Sequence, residues 1–455
     1  MEKKYSLSLF IFRRDLRIFD NTALIEALKS SAHVIVCFIF DPKQVTDKND
    51  YKSNNAIQFM LESLSDLHDQ LKKHSGHLYL FYGEPHDIIE DICKIKKIDA
   101  LFINHDYTPY SLKRDAHIEK ICKKLQIEFY AFHDLLLHAP DDVLTIANKP
   151  YTVFTPFYRA ALKNPVTEPR QNNFKNYYTG KLITEKQPEE ILKTFNKNIF
   201  VHGGRENGLK ILKHIENFKD YENTRDFPEL KTTGLSAHNK FGTLSIREEF
   251  HSMVKHLGAS HMLVRQLYWR DFYTQIARHF PRVFGHSYLE KYDDLAWKNN
   301  PEDFKLWCEG KTGFPIVDAG MRQLNTTGWM HNRVRMIVAS FLTKDLHIDW
   351  RMGEKYFAQH LVDYDPAVNN GSWQWAASTG CDPQPYFRIF NPWLQQQKFD
   401  PECLYIKCWV PELASYSPQI INALSTGKID IPNYPKPMVD HAKQSAYAKE
   451  MFLKY

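Results

Sequence analysis

The chain has 455 residues, more than one ordinary core accommodates, so two or more domains are expected. Its composition, 43% hydrophobic and 25% charged without a low-complexity tract, is globular; no apolar run is long enough to span a bilayer, and the Met-Glu-Lys-Lys-Tyr start lacks a secretory h-region. The formal charge of +5 is compatible with phosphate-backbone binding without demanding it, and seven scattered cysteines with no CxxC pair point away from a disulfide framework or zinc site and toward a reduced, cytoplasmic setting.

The first third alternates β-rich runs with amphipathic stretches. Strands are expected at Leu7–Phe12, His33–Phe40, His77–Phe81, Asp99–Asn104 and Ile127–Phe132, with helices near Thr22–Lys29, Ala56–Lys73, Pro85–Lys94 and Leu112–Leu125. Strands rich in Val, Ile and Phe with helices between them predict a five-stranded parallel, Rossmann-like sheet over residues 1–132. Asp20-Asn21 reads as the cap of the first helix. No G-x-G-x-x-G follows the first strand; Arg13-Arg14-Asp15-Leu16-Arg17 stands there instead, which argues against a standard dinucleotide cradle. Residues 133–200 lose periodicity around Pro140, Pro150, Pro156, Pro165 and Pro169 and read as an interdomain linker. From Gly203-Gly204 the pattern is helical, giving an all-α domain over 201–455. All nine tryptophans lie after residue 268.

Four segments of the helical half carry chemistry. Tyr221, Arg225, Thr232-Thr233-Gly234-Leu235-Ser236 and the helix behind them offer hydroxyls and backbone N–H groups to a phosphate, although a simple capped helix start has the same composition. Gln266-Leu-Tyr-Trp269-Arg270 combines an amide, an indole and a guanidinium, which suit a phosphate and an aromatic base. In Gly328-Trp-Met-His331-Asn332-Arg333-Val-Arg335-Met336, the residues Asn332, Arg335 and Met336 share one helical face. Asp363-Tyr-Asp365-Pro-Ala-Val-Asn369-Asn-Gly-Ser-Trp373-Gln-Trp375 packs two carboxylates, two amides and two indoles together. No His or Cys stands at ligand spacing beside Asp363 and Asp365, so no metal is expected, and a buried aromatic cofactor or an aromatic-rich core both account for the cluster.

Read together, these segments resemble the photolyase/cryptochrome flavoproteins, and class I cyclobutane photolyases most. The resemblance is carried by Gly313-Phe-Pro-Ile-Val-Asp-Ala-Gly-Met-Arg-Gln-Leu, Gly328-Trp-Met-His-Asn-Arg-Val-Arg-Met, Ile348-Asp-Trp-Arg, Asn369-Asn-Gly-Ser-Trp-Gln-Trp-Ala-Ala-Ser-Thr-Gly, Tyr386-Phe-Arg-Ile-Phe-Asn-Pro and the N-terminal Phe10-Ile-Phe-Arg-Arg-Asp-Leu-Arg. It implies FAD bound in the helical domain by Tyr221, Thr232, Thr233, Gly234, Leu235, Ser236, Gln266, Arg270, Asn332, Arg335, Asp363, Asp365 and Asn369, with Arg335 paired to Asp363. It implies an electron relay through Trp373, Trp350 and Trp297. Damaged DNA is expected on Arg225, Trp269, Arg270, Asn332, Arg333, Met336 and Trp375, with Gln266, Asn332, Asn369 and Met336 in catalytic roles.

The activity so implied is that of a carbon–carbon lyase: blue-light repair of pyrimidine dimers, by a monomer. Asn369 resembles the repair enzymes, since plant cryptochromes place an aspartate there and insect ones a cysteine. The alternatives are a cryptochrome-type light receptor, against which Asn369 and the end of the chain at Tyr455 count, and a (6-4) photolyase. The latter resemble His-His-Leu-Ala-Arg-His where this chain has His331-Asn-Arg-Val-Arg-Met336, so cyclobutane dimers are expected. Gln266 departs from the glutamate usual in class I enzymes and implies a lower repair efficiency. For the antenna pigment, the folate-type Asn-Glu pair is missing at Tyr110-Ser111, which leaves a deazaflavin-type antenna or none.

Overall fold

The computed structural model describes residues 3–183, 185, 191 and 194–455. Five strands, β1 (Tyr5–Phe12), β2 (Ser31–Phe40), β3 (Leu78–Tyr82), β4 (Ala100–Asn104) and β5 (Glu128–Phe132), form one parallel sheet in the order β3-β2-β1-β4-β5. Each expected strand is present with ends moved by one or two residues. Between them run α1 (Thr22–Ser30), α2 (Asn54–Lys73), α3 (Pro85–Ile95) and α4 (Pro109–Lys124). Asn21 caps α1, its side chain accepting from Leu24 N. β1 and β2 are buried over nearly their whole length, as the continuous Leu-Phe-Ile-Phe and Val-Ile-Val-Cys-Phe runs require of strands covered on both faces.

Strand order reverses between β1 and β4. At the C-terminal ends of these strands lies a cleft of about 10 Å³, lined by residues that include Asp15, Asn104, His105 and Asp106. That volume holds one water.

After β5 the regular elements among the described residues are helices. The elements that matter below are α5 (Phe154–Ala161), α6 (Ser236–Phe241), α7 (Ile246–Leu257), α8 (Met262–His279), α9 (Pro315–Thr327), α10 (Asn332–Ser340), α11 (Trp350–His360) and α12 (Pro366–Ala377). The chain divides into two compact units along borders other than 132 and 200. The first takes residues 1–196, 201–217 and 234–281; the second takes 197–200, 218–233 and 282–455. The stretch expected as a linker belongs almost wholly to the first unit and is tied to the sheet: Val34 N donates to Asn176 O at 3.0 Å and Tyr178 N to Val34 O at 2.8 Å. Prolines and polar side chains here mark an extended strap whose backbone pairs with the start of β2, ahead of the residues that pair with β3. The core of the second unit is a cluster of buried side chains drawn from residues between Trp307 and Tyr434, among which Trp307, Phe314, Phe341 and Trp350 are fully buried.

Candidate active site

In the second unit, α12 presents the Asn-Asn-Gly-Ser-Trp-Gln-Trp run. Asp365 is its N-cap, accepting from Ala367 N at 3.0 Å and Val368 N at 3.3 Å, and Pro366 takes the first helical position where no N–H is needed. Asn369 and Trp373, four residues apart, fall on one face and are both buried. Asn370 and Gln374 occupy the neighbouring face and hold the chain segment after α8. Asn370 Nδ2 donates to Val283 O at 3.0 Å, Gln374 Nε2 to Val283 O and His286 O at 3.1 Å each, and Gln374 Oε1 accepts from Tyr288 N at 2.7 Å.

Against this helix lies α11. Asn369 Nδ2 donates to Glu354 O at 3.2 Å. The Glu354 carboxyl is buried, and burial pushes its pKa up to about 7 although side-chain hydrogen bonds from Asn370 and Asn369 act the other way. Sequence reasoning missed Glu354: its partners are on another helix, and no local pattern marks it.

α10 begins at His331, whose Nδ1 caps the helix by accepting from Arg333 N at 3.2 Å. That bond fixes the proton on Nε2, and burial pushes the ring's pKa down to about 4. Asn332 Nδ2 lies 3.7 Å from Met336 Sδ, so the exposed amide and the thioether meet one turn apart. Arg335 donates through Nη2 to Asp363 Oδ2 at 2.9 Å and through Nε to Met330 O at 2.8 Å. Arg333 is already engaged, with Nη2 2.7 Å from Asp226 Oδ1 and its guanidinium 4.3 Å over the Phe399 ring.

The three relay candidates differ in exposure. Trp373 and Trp350 are buried, and Trp297 is half-buried. Trp373 stands edge-on to Phe357 at 5.0 Å and to Trp307 at 6.2 Å. The indole N–H groups of Trp350 and Trp297 have no acceptor among the described residues. Trp375 is half-buried. Tyr221 opens a one-turn helix that Arg225 closes, and burial raises the pKa of its phenol; Thr232 and Thr233 are half-buried.

In the first unit, α8 carries Gln266, Trp269 and Arg270. The Gln266 amide turns back toward Met262 O at 3.5 Å. One face of Trp269 is covered by Phe154 of α5, with ring centroids 3.5 Å apart and planes 6° from parallel. Arg270 donates to Leu135 O at 2.6 Å and Asn239 O at 3.0 Å. The adjacent Asp271 accepts from Leu137 N and His138 N, and burial pushes its pKa up to about 7. Gly234, in the left-handed region at φ 68°, and Leu235 lead into α6, where Ser236 is exposed.

The structure thus brings together Asn369 with Trp373, Asn332 with Met336, and Arg335 with Asp363. It ties Arg333 to Asp226 and Asp365 to the start of α12. A buried carboxylate paired to a half-buried guanidinium, a buried carboxamide and an indole on the next turn form a donor set that fits a flavin: polar groups for a heteroaromatic edge, a ring for electron exchange. When bound, FAD supplies light absorption and one-electron chemistry; the protein supplies orientation and electrostatics.

Two family models match: the FAD binding domain of DNA photolyase over residues 262–454 and DNA photolyase over residues 8–172. A deoxyribodipyrimidine photo-lyase of Alkalihalophilus pseudofirmus is 36% identical, the match covering 98% of each chain. An archaeal photolyase structure from Sulfolobus tokodaii, described with two FAD molecules, is 43% identical with a TM-score of 0.90, covering 99% of this chain and 100% of that one. A bacterial class III photolyase from Agrobacterium tumefaciens is 32% identical with a TM-score of 0.91, covering 100% and 98%. Motifs, sheet and matches along nearly the whole length agree: the chain belongs to the DNA photolyase family and carries its FAD-binding domain.

Proposed function

We propose that this photolyase opens cyclobutane pyrimidine dimers in DNA under blue light, with the lesion turned out of the duplex onto the face that carries Asn332 and Met336. The observation that carries the substrate choice is the Asn332–Met336 contact, an amide and a thioether where (6-4) enzymes resemble a pair of histidines. A dimer stacks poorly, so extruding it costs less than extruding an intact dinucleotide. Trp269 and Trp375 offer rings for its bases. Arg225 and Arg270 supply positive charge, and Arg333, held by Asp226, adds to it as a fixed cation.

On the cofactor side, Asp363, ion-paired to Arg335, and Asn369 hold the flavin end. Asp365 serves the adenine end, and Tyr221 with Thr232, Thr233, Gly234, Leu235 and Ser236 serves the diphosphate and ribityl part. Trp373, Trp350 and Trp297 pass electrons inward, an assignment favoured by the step from buried to half-buried along that order. Gln266 and Asn332 donate hydrogen bonds to the lesion. Seven free cysteines suit a cytoplasmic setting, and we read the enzyme as a monomer. The switch-point cleft, where open α/β sheets take their ligands, has room for one water here, so we place no light-harvesting pigment in it. The ratio of visible chromophore to protein after purification tests that.

The test uses photoreduced protein and single-stranded oligothymidylate bearing cyclobutane dimers. Thymine absorbance should return under blue light and stay unchanged in the dark, while a (6-4) lesion should show no recovery. Absence of recovery from the cyclobutane substrate by protein with bound, photoreducible FAD would overturn the reading.

A further inference from the structure

We infer that Arg14-Asp15-Leu16-Arg17, which replaces the glycine fingerprint after β1, is a positioning element for the cofactor: it fixes α6 and thereby the Gly234–Ser236 segment that leads into it. The inference rests on the proposed role of that segment in holding the flavin diphosphate.

α6 has only six residues, too few to be stable alone, and the last carbonyls of any helix lack partners inside it. Here four consecutive carbonyls are met from outside the helix. Asn239 O accepts from Arg270 Nη2 at 3.0 Å, Lys240 O from Arg14 Nε at 3.1 Å, Phe241 O from Leu16 N at 3.0 Å and Gly242 O from Arg17 Nη1 at 3.1 Å. Three of the four donors come from residues 14–17, more than 220 positions away in sequence. Gly242 sits at φ 61°, and a Cβ there would overlap the Arg14 carbonyl, so backbone meets backbone directly at this point.

The donors are themselves fixed. Arg17 is fully buried and pairs with Asp134 at 2.6 Å, and Arg14 pairs with Asp106 at 3.1 Å. Burial opposes ionisation of Asp106, but the cations of Arg14, Arg114, Lys240 and Arg13 outweigh it and hold the carboxyl below its usual range. Arg13, in the same motif, turns away from α6 onto Asp115 and the Asn104 carbonyl. It therefore serves as an internal control of equal charge.

Holoprotein carrying Arg14→Gln, Arg13→Gln or Ser236→Ala is diluted, and FAD release is followed by recovery of flavin fluorescence beside the melting temperature of each variant. Arg14→Gln should speed release about tenfold, and Arg14→Lys should restore part of the loss, because a lysine cannot serve both Asp106 and the Lys240 carbonyl. Arg13→Gln should release at the wild-type rate with a melting temperature lowered as much as that of Arg14→Gln. Equal acceleration in the Arg13 and Arg14 variants overturns the inference, since general loss of the motif's charge then accounts for it. If Ser236→Ala speeds release while both Arg14 variants do not, positioning by the motif is wrong and the diphosphate reading survives. Wild-type release from all of them removes both. If Arg14→Gln does not fold, Arg14→Lys is compared with Arg13→Lys by the same criteria.

Discussion

Gln266 and Glu354 are two single side chains at which the proposed site is open to experiment. Gln266 donates a hydrogen bond and holds no ionisable proton. Gln266→Glu should raise repair per absorbed photon by a factor of about two, because a protonatable group can neutralise charge developing on the lesion. Unchanged or lower yield, measured by thymine absorbance per photon, would show that the amide suffices.

Glu354 invites a pH experiment. In the unfolded chain its carboxyl ionises near 4.5, and in the fold near 7. Between those values the folded chain keeps a proton that the unfolded chain has lost, so stability falls as pH rises from about 4.5 to about 7 and stays lower above that. Glu354→Gln keeps the hydrogen bonds and removes the slope. The variant should exceed wild type by on the order of 1–3 kcal/mol at pH 8 and match it near pH 4.5. An equal gap at both pH values, in thermal melts of the flavin-loaded protein, would mean that the carboxyl is ionised in the fold.

At the level of elements, the strands and helices of the first third were legible because Val, Ile and Phe runs alternate with amphipathic stretches punctuated by Pro85 and Asn21. The Arg335–Asp363 pair and the Asn332–Met336 face were legible as well, the first through the family resemblance and the second through helical spacing. Three features were not. α5 lies inside a proline-rich stretch, and nothing local says that Phe154 will cover Trp269. Asp365 caps α12 beside its proposed cofactor contact, a second task that Asp-Pro at a helix start carries. Close approach of α11 to α12 depends on Gly353, where a Cβ would overlap the Trp373 ring and Leu342. A glycine inside a helix ordinarily weakens it, so its place here is explained by that contact. Gly353→Ala should cost about 1–3 kcal/mol through overpacking and displace Trp373. Blue-light bleaching of oxidised flavin should slow in the same variant. A lower melting point with unchanged bleaching would remove Trp373 from the proposed relay.

For the molecule as a whole, charge decides how DNA is held. The excess is only +5, and ion pairs within the protein already engage Arg205, Arg247, Arg322, Arg333 and Arg351. Of the arginines proposed to face DNA, Arg333 therefore offers the phosphate backbone a charge already shared with Asp226. Recognition then has to draw on the extruded lesion, its stacking and its hydrogen bonds, which depend little on salt. For duplex DNA the logarithm of affinity falls with the logarithm of salt at about 0.9 per phosphate neutralised. With two or three phosphates engaged, raising salt threefold should weaken binding to a dimer-containing duplex by about tenfold. Undamaged duplex should show a similar slope from a much weaker starting point, since phosphates contribute alike to both and only the lesion separates them. A fall of a thousandfold or more on damaged DNA would mean that many phosphates carry the affinity, and equal affinities for the two duplexes would remove the extruded lesion from the account of binding.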